Sequence, residues 1–166
     1  MSAGQQLLVL GAIVLLSIFI LRVYTTENGT TKNTITNAAI IKATGVAQTL
    51  LEQIQTEAFD SATVSKSVSS TSALTPVGGL GPDLLLGETS FTKFNDVDDY
   101  NNYSEIDTIG STDIFNVKVR VSYATKMNPD VSSSVPTFSK RVDISVYNKY
   151  LNLIDTLKLS KIISYY

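Results

Sequence analysis

The apolar positions fall into three regimes along the 166-residue chain. The first is a continuous run, "LLVLGAIVLLSIFILRVY", from Leu7 to Tyr24. Leu7 to Leu21 is fifteen residues interrupted only by Gly11 and Ser17, and no charged side chain precedes Arg22. Such a run predicts a helix over residues 1–24 that is apolar on all sides. At about 1.5 Å per residue the stretch spans roughly 22 Å, short of the ~30 Å hydrocarbon core of a bilayer. Gln5, Gln6, Val23 and Tyr24 bring it to a marginal span, with Tyr24 suited to a membrane interface and Arg22 able to snorkel.

The second regime opens with "TTENGTTKNT", residues 25–34, which has five threonines, an Asn-Gly pair and no large apolar side chain. These are poor helix formers, so a helix break is expected there. Helical spacing returns in "ITNAAIIKATGVAQTLLEQIQTEAF". Ile35, Ala39, Ala43, Val46, Leu50 and Ile54 recur every three or four residues and form one stripe, with Ala58 and Phe59 ending it. The expectation is an amphipathic helix over residues 35–60, N-capped by Thr34 or Thr36, with Lys42, Gln48, Glu52 and Gln55 on the outer face.

The third regime is a globular remainder, residues 61–166. From Ser61 to about Asn102 the chain is rich in Ser, Thr and Gly and reads as a long surface loop, with a short strand around Leu84 to Leu86. Strict alternation then sets in. "FNVKVRVSY" puts Phe115, Val117, Val119, Val121 and Tyr123 on one face. "FSKRVDISVY" does the same with Val142, Ile144 and Val146, and "DTLKLSKIIS" with Leu157 and Leu159. Three alternating segments joined by the hairpin-loop stretches "KMNPDVSSSVP" and "NKYLNLI" predict an antiparallel β-meander with one buried face, covered by the 35–60 stripe. The fold class is therefore α+β: a long N-terminal apolar-then-amphipathic helix packed on a C-terminal antiparallel β-meander.

Composition narrows the function. Net charge is −2, from 13 basic and 15 acidic residues, with no basic patch for nucleic acid. Cysteine and histidine are absent. That removes disulfides, thiol and Ser-His nucleophiles, and the common zinc ligand sets. No Gly-rich phosphate loop, G-x-S-x-G or H-E-x-x-H occurs either, so the chain is expected not to be an enzyme and to hold no organic cofactor. One chemical signal stands out. "FNDVDDYNNY" crowds Asp96, Asp98 and Asp99 among asparagines, and oxygen donors at alternate positions suit Ca²⁺. The spacing is not that of an EF-hand, and a solvated acidic loop with Asx turns is the competing reading. Asn28-Gly-Thr30 and Asn102-Tyr-Ser104 are formal glycosylation sequons.

Three roles compete for the apolar run. A secretory signal needs a basic start and a small-x-small cleavage site, and neither "MSAGQQ" nor "LRVYTTENGTT" supplies them. A single-pass anchor fits, although Arg22 and Lys32 on its C-terminal side conflict with export of the bulk of the chain. The third role is the core of a filament, in which Leu7, Leu8, Leu10, Gly11, Ile13, Val14, Leu15, Ile18, Phe19 and Leu21 bury one another between copies. Gly11, Ala12 and Ser17 would then permit close helix approach.

"LLVLGAIVLLSIFIL" followed by an amphipathic helix and the ending "FNVKVRVSY…FSKRVDISVY…DTLKLSKIISYY" resembles the type IV pilin and pseudopilin family. The resemblance implies a structural subunit inserted in the cytoplasmic membrane and then drawn into an extracellular helical homopolymer at the cell surface. It also implies pilus or secretion machinery with a prepilin peptidase and an assembly ATPase. Some pseudopilins bind calcium in a C-terminal loop. The family's leader ends in Gly, which would make Gly4 the cleavage point and Gln5 the first mature residue. Here "MSAG" is not basic, and Val9 stands where the family has glutamate. The alternatives are a membrane-anchored ectodomain serving as adhesin or sensor, and a minor pseudopilin of a secretion system.

Overall fold

A computed structural model describes residues 2–110, 113–125, 127–151 and 156–165. Met1, Lys126, Asp155, Tyr166 and the end of the "NKYLNLI" link therefore lie outside the described residues, as do the parts of the expectations above that fall on them. The chain divides into two compact units, Met1–Ala38 and Ala39–Tyr166.

The first unit is helix throughout its described length apart from Ser2, the start of α1, which spans Ala3–Thr56. The expected break at residues 25–34 is not there. Its threonines hold the helix by bonding back along it: Thr26 Oγ1 to Arg22 O (2.9 Å), Thr30 Oγ1 to Thr26 O and Thr34 Oγ1 to Thr30 O (both 3.0 Å). Low propensity costs only about 0.5–1 kcal/mol per residue, and a helix propagating from either flank needs no new nucleus. Thr34 and Thr36 accordingly lie inside the helix rather than at its start.

In the second unit α1 ends at Thr56, four residues earlier than expected. Ala58 leaves the helix to form a parallel bridge with Asp96, with Val97 N donating to Ala58 O at 2.9 Å. Asp60 then starts a single helical turn, Ser61–Thr63, in a capping box with Thr63. The stretch read as surface loop is a chain of such turns. Leu84–Leu86, expected as a strand, is one of them and closes on Gly87 at φ 87°. A left-handed residue there ends an extended run, and glycine adopts it without strain.

The sheet has four antiparallel strands in the order β1-β2-β3-β4: β1 Ser104–Ile109, β2 Asp113–Tyr123, β3 Ser139–Tyr147 and β4 Thr156–Ser164. The three alternating segments are β2, β3 and β4. Their inward residues pair across the ladder, Val119 opposite Ile144 and Ile144 opposite Leu159. β1 was not expected. Its outward residues are exposed and its sequence, SEIDTI, has only two apolar residues, as suits an edge strand paired on one side only.

One core joins helix and sheet. Ala39, Ala43, Ala47, Leu50, Leu51 and Ile54 of α1 pack with Val97, Tyr100 and the inward side chains of β2 and β3. The expected stripe is shifted: Ile35 is exposed and Val46 half-buried, whereas Ala47 and Leu51 are buried. Ala39, Ala43 and Ala47, four apart, bring the helix backbone close to the valine-rich face of the sheet. Ala47→Leu should therefore overpack this contact and destabilise the protein by about 1–3 kcal/mol. Gln48→Leu, on the exposed face, should stay within about 0.5 kcal/mol. With no tryptophan in the chain, denaturant unfolding followed by near-UV tyrosine dichroism reads both; equal effects would contradict the packing.

Candidate functional site

Two places in the chain carry the functional argument, and each lies within one unit. In the first unit, Leu7, Leu8, Leu10, Ile13, Val14, Leu15, Ile18, Phe19 and Leu21 are all exposed on α1. Gly11 has open space where a side chain would be. Ser17 Oγ donates to Ile13 O at 2.8 Å, and Gln5 Oε1 accepts from Ser2 N at 3.1 Å. Burying the segment in lipid or against other helices would thus strand no serine hydroxyl. Gly4 sits in the first turn of the helix. The helix is long and apolar enough to cross a membrane.

In the second unit the acidic residues singled out from the sequence are not a solvated loop. Asp96, Asp98 and Asp99 are buried, and so is Lys140 on β3, which reaches Asp98. A buried ammonium needs an acceptor for each of its three protons. Lys140 Nζ donates to Phe59 O at 2.7 Å, to Asp60 Oδ2 at 2.8 Å, and to Asp98 Oδ1. The Phe59 and Tyr123 rings lie 4.7 and 5.4 Å from the same atom. The cation among these aspartates is therefore supplied by the chain itself. Among the described residues no group of three or more carboxylates is arranged to hold a metal ion.

The carboxylates differ in surroundings. Asp60 accepts from Ala62 N and Thr75 N (both 3.1 Å), from Thr75 Oγ1 (3.2 Å) and from Tyr123 OH (3.0 Å). Burial pushes its carboxyl up, but Lys140 and these backbone donors outweigh that and hold it below the usual carboxylate value. Asp96 has the opposite balance. Burial, then its hydrogen bond to Asp98 and the charges of Asp98 and Asp99, push it up to about 9, so it carries a proton at neutral pH. Its Oδ1 accepts from Asp98 N at 2.8 Å. Asp99 Oδ2 accepts from Asn95 N at 2.9 Å and Asp96 N at 3.2 Å, and burial raises it to about 6. Burial, followed by the Asp60 charge, also raises Tyr123.

Asp60 and Lys140 escaped the sequence reading, yet Lys140 left a trace there. It falls in phase with Val142, Ile144 and Val146, on the inward face of β3, and a lysine at such a position requires a buried acid. The Asp60 partnership, 80 residues away in the chain, left none.

Comparison with known proteins gave no matching family model, no matching curated protein and no matching solved structure. What the chain itself defines is an α+β protein with a four-stranded antiparallel sheet and an apolar N-terminal helix.

The cluster sets a pH dependence. Asp96 is raised in the folded state, so its contribution to stability is present below the unfolded value of 3.8 and is lost as pH rises through about 9. Asp99 acts in the same direction up to about 6. Asp60 is lowered, so its contribution is present above 3.8 and lost as pH falls through its depressed value. Melting temperature should therefore be highest at mildly acidic pH and decline toward pH 9. Asp96→Asn should flatten the decline, whatever the absolute melting temperature; parallel curves for variant and wild type would contradict this assignment.

Proposed function

We propose that this chain is a structural subunit of an extracellular, pilus-like helical filament, held in the cytoplasmic membrane before assembly and polymerised through bundled N-terminal helices. The observation that carries the reading is the exposed, charge-free surface of residues 7–21 on a helix that runs on without a break to Thr56. Each Leu, Ile, Val or Phe fully buried is worth roughly 1.5–3 kcal/mol. Nothing described in the chain covers these residues, so lipid and then other copies are the covers that fit. The α+β layout supports the resemblance to type IV pilins and pseudopilins. The outer domain carries no role in this reading beyond display on the filament surface.

Assembly and anchoring part company under mutation. Shearing cells that express the chain should release thin filaments composed of it. Leu15→Lys should abolish them while leaving the domain folded, because an unpaired buried charge costs several kcal/mol per subunit and recurs in every layer. A chain beginning at Ile35 should be soluble, folded and monomeric. If the full chain is found only as a detergent-soluble monomer in membranes, it is a single-pass adhesin or sensor ectodomain instead. Low copy number at the base of a filament of another protein would mark a minor pseudopilin.

A further inference from the structure

We propose that Lys140 and Asp98 become joined by an isopeptide bond between Nζ and the Asp98 carboxyl carbon, formed by the folded protein itself, with Asp96 as the proton carrier. The three side chains are fully or almost fully buried, and Nζ is in direct contact with Asp98 Oδ1. The Asp96 carboxyl accepts from Asp98 N at 2.8 Å, next to the Asp98 carboxyl, and burial beside Asp98 and Asp99 raises it so that it holds a proton at neutral pH. The Phe59 and Tyr123 rings flank the nitrogen. The neutral amine and neutral acid are the reactive forms, and the direct contact between Nζ and Asp98 Oδ1 is the path along which the proton passes between them. Exclusion of water favours condensation over hydrolysis. Fixed neighbours of this kind react with effective molarities of roughly 10⁵–10⁸ M.

The step balances without any co-reactant. A proton passes from the Lys140 ammonium to Asp98, leaving a nitrogen lone pair that attacks the carboxyl carbon. Asp96 gives its proton to the departing Asp98 oxygen and takes one back from the nitrogen. The carbon–oxygen bond breaks, the carbon–nitrogen bond remains, and one oxygen leaves with two protons as water. Asp60 also touches Nζ but is not the electrophile. Its oxygens accept from Ala62, Thr75 and Tyr123, which stabilise the carboxylate and withhold it from attack. Asp60 is a positioning residue that holds the nitrogen in place. The bond would tie β3 to the segment before β1 across 42 residues, so that β1 and β2 lie in a closed loop. In a filament subunit that loop would resist extension under load.

The test is peptide mass mapping of the purified full chain, digested under denaturing conditions. Reading the peptides rather than the intact mass keeps any N-terminal processing out of the result. The expected product is one branched peptide containing Asp98 and Lys140, lighter by one water than the sum of its two parts. Asp96→Asn keeps the size and neutrality of the side chain but removes the transferable proton. After refolding it should form the branched peptide at least about 10²-fold more slowly. Asp98→Ala should give none. The wild-type digest decides the matter even if a variant misfolds. Recovery of the Lys140 and Asp98 peptides unlinked from long-incubated folded protein overturns the proposal, as does a branch at Asp60 or an Asp96→Asn variant that links at the wild-type rate.

Discussion

Every apolar stretch needs a cover, and one helix of this chain meets that demand in two different ways. Between Ala39 and Ile54, α1 is covered by the protein's own sheet: small side chains at Ala39, Ala43 and Ala47 admit the valines of β2 and β3, and Leu50, Leu51 and Ile54 fill the remainder. Between Leu7 and Leu21 the side chains are larger and the helix surface is bare. The stretch carries no charge, its serine is satisfied by its own backbone, and its glycine leaves room for a neighbour. A segment so equipped is at ease in lipid and equally at ease among copies of itself, and passage from one to the other is the essence of the proposed assembly.

The domain has a second constraint, a positive charge in its interior. Lys140 draws together the end of α1 through Phe59 and Asp60, the loop through Asp98, and β3 on which it stands. Burying a pair of this kind gains little over well-packed apolar residues, whereas removing one partner is costly. The arrangement is thus better understood as fixing which segments meet than as a large source of stability.

Much of the fold is legible in the chain, for reasons that can be named. β2 and β3 alternate without a fault over the residues that matter, so their inward faces follow from period alone. The apolar run is equally plain. What stays hidden depends on long-range company. The threonine-rich stretch is helical because its flanks are already helix and propagation needs no new nucleus, which single-residue propensity does not convey. Ala47 and Leu51 join the core beside Ala43, Leu50 and Ile54 because they stand four residues from Ala43 and Ala47 on the same face of the helix. β1 has too much polar character to stand out. The acidic loop is the instructive case: Asp96, Asp98 and Asp99 stand out by composition, but their burial and the ion pair of Asp98 with Lys140 depend on segments far away in the chain. The filament role itself rests on resemblance together with one uncovered surface.

The most direct test places a spin label at the middle of that surface. The chain has no cysteine, so Ser17→Cys gives a single attachment point between Leu16 and Ile18. In detergent the labelled subunit should give the spectrum of isolated spins. In sheared filaments the same label should be immobile and broadened by neighbouring labels, since helices bundled through residues 7–21 bring their Ser17 positions together. Labels that remain isolated and mobile in the polymer would contradict the account, because copies would then be meeting somewhere other than the apolar segment.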